Sequence, residues 1–316
     1  MDIAEAFVGI DVSKDRLDVH LHPAGEAFAV ARDADGLDQL LARLVPLKPV
    51  LVAIEATGGF ETIAAAHLAS AGLPVAVVNP AQVRAFATAL GKRAKTDPID
   101  ALVIARFAEA ARPQPKPAPD ETLQALADLV TRRRQIVAMI GAEKQREKRA
   151  PVRLRKSIAR LLKALQKELT EVEADIDDTM RSSPIWREKE DLLTSVPGIG
   201  QTIARALMAD LPELGLLDRR EIAALAGLAP HTRQSGQWKG QSFISGGRAE
   251  PRASLFIAAM VAARHNPVLK DFYLRLTAAG KPKKLALIAV ARKLLTRLNT
   301  LLKELKIQTP NATLAT

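Results

Sequence analysis

An α/β unit followed by a largely helical chain is the architecture this sequence predicts, and three observations predict it. Residues 6 to 31 alternate apolar and polar positions as strands do, and two continuous apolar runs follow before residue 79, each preceded by a helical pattern. Prolines occupy every second position from Pro113 to Pro119 in "RPQPKPAPD", a spacing that admits neither helix nor central strand and marks an extended spacer. Beyond it, helical propensity dominates to the end of the chain.

The elements follow in order. "AFVGID", "RLDVHLH" with Leu17, Val19 and Leu21 on one face, and "AFAVAR" read as a three-stranded antiparallel meander. "DGLDQLLARLV" is an amphipathic helix, "PVLVAIEATG" a strand buried on both faces, "FETIAAAHLASAG" a helix ending at Gly72, and "PVAVVN" a second buried strand. In "AKTDPIDALV" a further helix begins, with Asp97 at the N-cap and Pro98 at the first helical position. Three strands, then helix, strand, helix, strand and helix is the order of a ribonuclease-H-like (RuvC-like) fold, which we assign to residues 1–112.

Residues 113–184 comprise the proline-rich linker and two helices, 121–149 and 152–180, broken at Pro151 and expected to form a helical hairpin or coiled coil. Between Arg132 and Lys167 stand 13 Lys and Arg against two acids, Glu143 and Glu147. That density suits a phosphate partner, a second protomer or a solvated face. Residues 185–309 form a third, mostly helical unit, and 310–316 a disordered tail. Within the third unit "LLTSVPGIGQTIARALMADL" has the pattern of a helix-hairpin-helix. Gly198 and Gly200 would let a phosphate come close to the backbone at the opening of the second helix; the plainer reading is a turn used for packing.

Composition narrows the chemistry. The 316 residues include no cysteine, which excludes disulfides, thiolate metal sites and thiol nucleophiles. The N-terminus carries acids where a signal peptide wants bases, and the longest apolar run, "ASLFIAAMVAA", is too short to span a bilayer. A cytoplasmic protein with no membrane partner is expected. The net charge of +11 is unevenly distributed: residues 1–112 hold 11 bases and 14 acids, whereas residues 192–316 hold 18 bases and 7 acids. An acidic unit beside a basic one fits an enzyme that holds cations in one place and a polyanion in another.

Four acids carry the first of those roles. Asp11 and Glu55 close two strands which, if adjacent, deliver both carboxylates to one edge of the sheet, where open α/β folds place their sites. Asp97 and Asp100, three apart on a helix, share one face. Such a cluster repels itself unless divalent cations lie within it. Each acid also has a plainer reading: Asp11 in a turn with Ser13, Glu55 capping the loop that follows, Asp97 capping its helix, Asp100 paired with Arg93 or Lys95. His231, His20 and His22 lack partners at metal-ligand spacing and receive no role.

The blocks "GIDVSKDRLDV", "IEATGGFE", "NPAQVRAFATALGKRAKTDPIDALVIARFA", "LLTSVPGIGQTIARALMADL" and "LAGLAPHTRQSGQWKGQ" followed by "GGRAEPRASLF" resemble, in the same order, the DEDD transposases of bacterial insertion sequences, relatives of the Piv DNA invertases. The resemblance spans nearly the whole chain. It implies that Asp11, Glu55, Asp97 and Asp100 are the DEDD residues, binding Mg2+ or Mn2+, and that Ser235 in "RQSGQWKG" is a nucleophile forming a phosphoserine link to DNA. It further implies DNA partners at element ends and target, a structured guide (bridge) RNA, a homodimer or tetramer, and a bacterial, nucleoid-associated setting. Arg233, Lys239, Arg248 and Arg252 are candidate phosphate contacts, and Trp238 could stack on a base or anchor the hairpin. The function expected is a transposase or site-specific recombinase. Two alternatives stand beside it: a Holliday-junction-resolvase-like nuclease, which uses the same acids with water and needs no serine, and a non-enzymatic nucleic-acid-binding protein, which needs no acids.

Overall fold

The computed structural model describes residues 5–91, 97–115, 121–232, 234–235, 238–239 and 242–308. The chain forms two compact units, Met1–Asp120 and Glu121–Thr316. Among the described residues, no helix is long and apolar enough to cross a membrane.

The first unit is built on a five-stranded sheet. Its strands are β1 (Phe7–Val12), β2 (Arg16–His22), β3 (Glu26–Ala31), β4 (Leu51–Glu55) and β5 (Val75–Val78), in the spatial order β3-β2-β1-β4-β5. The meander β1-β2-β3 is antiparallel, and β4 and β5 add in parallel beside β1. Parallel neighbours need crossovers, and α1 (Ala34–Leu47), which leads into β4, and α2 (Glu61–Ser70), which joins β4 to β5, supply them; α3 (Pro80–Ala89) and α4 (Asp97–Ala111) follow β5. The period of two divides each strand's side chains between two cores. Val8, Ile10, Leu17, Val19 and Ile54 pack with Leu37, Leu40 and Leu44 of α1 and Leu68 of α2. Phe7, Leu51, Ala53 and Val78 face Val83 of α3 and Val103, Ile104 and Ala108 of α4. Strand order, mixed pairing and helices on both faces make this an RNase H-like fold.

The second unit opens with α5 (Glu121–Arg149) and α6 (Val152–Ser182), joined through Ala150 and Pro151. Arg133 meets Glu173 at 2.7 Å and Arg132 meets Glu168 at 3.8 Å, ion pairs that bridge the two helices. Then come α7 (Pro184–Thr194), α8 (Gln201–Asp210) and α9 (Arg219–Leu225), four two-residue strands, and α10 (Ala249–His265), α11 (Pro267–Ala278) and α12 (Lys283–Gln308). One apolar core runs through all of this: Leu126, Ile136, Ile176 and Met180 of the hairpin belong to the same cluster as Leu193, Leu207, Leu255 and Leu294. The boundary read from the sequence at residue 184 therefore falls inside a continuously packed unit. Buried Asn299 of α12 accepts from the Gly215 amide at 2.8 Å and donates to the Leu217 carbonyl at 2.9 Å, tying the loop before α9 to the central helix.

Candidate active site and nucleic-acid surfaces

The parallel register of β1 on β4 runs from Phe7 opposite Leu51 to Ile10 opposite Ile54. The next residues along the two strands are Asp11 and Glu55, so both carboxylates leave the sheet at one level. They project to the face that carries Phe7, Gly9, Leu51 and Ala53, because side chains alternate. That face is covered by α4. A methyl group at Gly9 would overlap the Ala101 carbonyl oxygen and the Ala105 amide and lie 2.9 Å from the Ala105 Cα. Helix and strand thus touch backbone to backbone there. At the other end of the helix, Arg112 lies 5.4 Å over the Phe7 ring and pairs with Glu5, which makes α4 antiparallel to β1. Two residues along β1 at about 3.3 Å each and three to six residues back along α4 at about 1.5 Å each climb comparable heights. The first turn of α4, carrying Asp97 and Asp100, therefore reaches the sheet edge where Asp11 and Glu55 emerge.

The Asp97 side chain lies outside the described residues, and among those described no three Asp, Glu or His side chains stand close enough, as they lie, to hold an ion. The donor chemistry is nonetheless that of a hard-cation site. Carboxylates from two adjacent strand ends and a helix locked against them offer oxygen only, which suits Mg2+ or Mn2+.

Two further acids shape this edge, and neither stands out in the sequence. Asp18 lies directly opposite Asp11 across the β1–β2 ladder. It is buried and accepts from Arg16 Nε at 3.1 Å, so the guanidinium answers a charge that would otherwise crowd Asp11. Glu61, the first residue of α2, accepts from the Thr57 amide at 3.0 Å, the Thr57 hydroxyl at 3.1 Å and the Gly59 amide at 2.8 Å. Burial pushes its carboxyl up, but these hydrogen bonds outweigh it and hold the group below its usual value. Glu61 thus caps the loop after β4. Ser13 closes the β1–β2 turn through its own hydroxyl and the Arg16 carbonyl at 2.9 Å. Arg93 and Lys95, the pairing candidates for Asp100, lie outside the described residues.

In the second unit, β6 (Pro230–His231) pairs with β9 (Phe243–Ile244), and β7 (Gln234–Ser235) with β8 (Trp238–Lys239). Ser235 opposes Trp238 in the second ladder, and Lys239 opposes Gln234. Ser235 is therefore the last residue of β7. Arg233 lies outside the described residues. His231 donates from Nε2 to the Ser245 carbonyl, 3.3 Å away, and faces Phe243; His22 bridges to Glu109 of α4 at 3.0 Å.

The remaining candidates are occupied within the protein. Arg248 forms a two-pronged bond to buried Glu213, at 2.6 and 2.8 Å, and donates to the Asp210 carbonyl at 2.9 Å. Its charge is answered within the protein by Glu213. Arg252 donates to the Gly246 carbonyl at 2.6 Å, fixing the bend that leads into α10. In "PGIG" the two glycines differ: Gly198, at φ 109°, would place a methyl 2.6 Å from the Ala262 Cβ, whereas Gly200, the N-cap of α8, has open space around its Cα.

Comparison with known proteins agrees with this geometry. Residues 8–150 match the DEDD transposase model of the IS110 group, and residues 190–274 match the model described as transposase, IS116/IS110/IS902 family. The pilin gene-inverting protein of Moraxella bovis is 28% identical over 93% of this chain and 94% of its own length, and that of Moraxella lacunata is equally similar. The 43.6 kDa protein of insertion element IS110 from Streptomyces coelicolor is 28% identical over 47% of this chain and 36% of its own length. An RNase H-like sheet with acidic residues at one edge, joined to a separate transposase unit, defines a DNA-recombining enzyme whose DEDD domain points to divalent-metal use. The chain belongs to the IS110 family of transposases.

Proposed function

We propose that this transposase cuts and exchanges DNA strands with Ser235 as nucleophile and with Mg2+ or Mn2+ held by Asp11, Glu55, Asp97 and Asp100. The observation that supports it best is the juxtaposition of the Asp11 and Glu55 strand ends with the first turn of α4, set by the backbone contact at Gly9. Divalent cations bound there would neutralise phosphate oxygens and favour the ionised form of an attacking hydroxyl. The chain's own groups do the rest. Ser235 Oγ attacks phosphorus, the bond from phosphorus to a deoxyribose oxygen breaks, that oxygen leaves as a strand-end hydroxyl with the proton, and a phosphoserine ester remains. Attack on this ester by a hydroxyl from another strand completes exchange and frees the serine.

A structured guide RNA supplies DNA choice in this reading, consistent with a chain in which no base-reading motif stands out. Strand exchange needs several cut ends held together, so the α5–α6 hairpin, packing as a coiled coil between protomers, gives a dimer or tetramer. The "PGIG" segment is the turn of a helix-hairpin-helix that packs on α10 through Gly198, and Lys239 and Arg233 steady phosphates beside Ser235. The chain works in the bacterial cytoplasm at the nucleoid.

Incubation with element-end DNA and its RNA, followed by denaturing electrophoresis, tests this. A protein–DNA adduct that requires Mg2+ or Mn2+ and disappears in both Ser235→Ala and Asp11→Asn supports the proposal. Full cleavage by Ser235→Ala, with no adduct, replaces it with a hydrolytic nuclease.

A further inference from the structure

The second unit carries two grooves beside the "PGIG" turn, and their charge states are opposite. The smaller, about 500 Å³, takes in the opening of α8 at Gln201, Thr202 and Ile203. Its cations are all paired: Arg133 with Glu173, Arg134 with Asp210 and Glu250, and Arg205 with Glu190 and Asp177. A phosphate entering there would meet a surface already neutralised.

The larger groove, about 1060 Å³, lies on the other side of the turn, between Ser195–Pro197, the start of α9, the start of α11 and the outer face of α12. Arg219, Arg220, Arg292, Lys293 and Arg297 line it, and no acid does. Among the described residues none of the five has a carboxylate within 4 Å. The neighbouring acid, Asp218, is engaged in capping α9 through the Arg220 and Glu221 amides, at 2.6 and 2.8 Å. Five like charges around one concavity repel each other at distances within a Debye length. Two of them, Arg219 and Arg220, also stand in the first turn of a helix, where the macrodipole disfavours bases. On α12, Val290, Ala291, Leu294, Leu295 and Leu298 bury one face, which leaves Arg292, Lys293 and Arg297 to the groove. Neither folding nor helix stability explains this arrangement; a polyanionic ligand does.

We propose that this groove, and not the opening of α8, seats the phosphate backbone of a nucleic-acid duplex. A duplex fits better than splayed single strands, because Phe272, the groove's one aromatic residue, already lies under Lys293 at 4.6 Å and Arg275 at 5.5 Å and offers no free stacking platform. Arginine and lysine from three helices read backbone charge and not sequence. The inference deepens the reading of the chain as a nucleic-acid enzyme and rests on it.

Binding of the full chain to a labelled 24-base-pair DNA duplex and to an RNA hairpin of equal stem length, measured by anisotropy between 50 and 200 mM KCl, tests it. The variant Arg220→Gln/Arg297→Gln removes two exposed groove charges; Arg187→Gln/Arg264→Gln removes two exposed charges elsewhere in the unit. Melting curves establish that both are folded. With about 0.9 of salt slope per phosphate contact on DNA, the groove variant loses about two units of slope, and its deficit against wild type narrows roughly tenfold across that salt range. The control pair keeps the wild-type slope. Loss with one duplex and not the other names that nucleic acid as the ligand. Equal behaviour of the two variants, or an unchanged slope in the groove variant, overturns the proposal. If the groove result holds while no cation-dependent serine adduct forms under any condition, the catalytic reading fails and the groove stands.

Discussion

Gly9 of β1 and Ala101 of α4 meet backbone to backbone, with no room between them for a single methyl group. Asp11 follows one of these residues by two positions and Asp100 precedes the other by one. Their close approach brings the first turn of α4, which carries Asp97 and Asp100, to the sheet edge at which the strands bearing Asp11 and Glu55 end. The glycine's φ is ordinary; its role is to admit the helix.

Replacing Gly9 by alanine must therefore push α4 outward, since backbone atoms on the far side cannot rotate away. We expect destabilisation of about 3 kcal/mol, at the upper end for overpacked cores. A shift of the α4 carboxylates by about 1 Å should cost on the order of a hundredfold in strand cleavage. Thermal melting and adduct yield measure the two effects. A variant that melts like wild type and cleaves at full rate would show that α4 is not held at this point.

Glu61 gives a pH-dependent prediction. Its carboxyl titrates below the ordinary glutamate value of 4.5 in the folded chain, against burial, because the Thr57 and Gly59 amides and the Thr57 hydroxyl bond to its charged form. A depressed folded value means that its stabilisation is fully present above 4.5 and is lost as pH falls through the folded value. Glu61→Gln should thus lower the melting temperature at pH 7 and approach wild type as the pH is lowered through the folded value. Because the loop follows directly on Glu55, cleavage should fall as well. A melting difference that is independent of pH would assign the effect to packing alone.

How much of this could be read before the fold is clearest residue by residue. Asp11 and Glu55 were legible because strand ends show in one dimension: an apolar run stops and an acid follows. The order of the first unit's strands was legible for the same reason, as each strand's burial pattern is local, whereas α3 (Pro80–Ala89) did not stand out as a helix of its own beside α4. Asp18 was not, although it sits only seven residues from Asp11, because it becomes a neighbour of Asp11 only through the antiparallel register. Glu61 hides in an ordinary helix start, and its partners Thr57 and Gly59 announce themselves only once the loop turns back. Arg248 looked like a surface cation because its partner, Glu213, lies 35 positions away on another element. The two grooves could not be read at all, since each gathers side chains from several helices.

The Arg248–Glu213 pair supports a third prediction. Truncating Arg248 to alanine removes the guanidinium that faces buried Glu213, at a cost of about 3 kcal/mol, near the lower end for a broken buried pair because the arginine is itself partly exposed. Glu213→Gln should cost less, and the double variant should recover part of the loss of Arg248→Ala. The salt slope of duplex binding should be unchanged in Arg248→Gln, since a guanidinium occupied by a carboxylate makes no phosphate contact. A slope reduced by about one unit would return Arg248 to the nucleic-acid surface.

The last prediction separates the two glycines of "PGIG". Gly198 combines φ of 109° with a methyl-to-methyl distance of 2.6 Å to Ala262 of α10, so Gly198→Ala meets both backbone strain and a packed helix. It should destabilise the second unit by several kcal/mol, the sum of about 1 to 3 for strain and a similar amount for overpacking. Gly200 has φ of −97° and nothing within 4 Å of where a methyl would sit. Alanine fits there and should cost about 1 kcal/mol at most, as a weaker N-cap. If the opening of α8 holds a phosphate, that methyl stands in the way and duplex affinity drops while stability hardly changes. If the backbone lies in the α9–α11–α12 groove, Gly200→Ala binds as wild type does, and the turn's glycines are explained by the contact of Gly198 with α10.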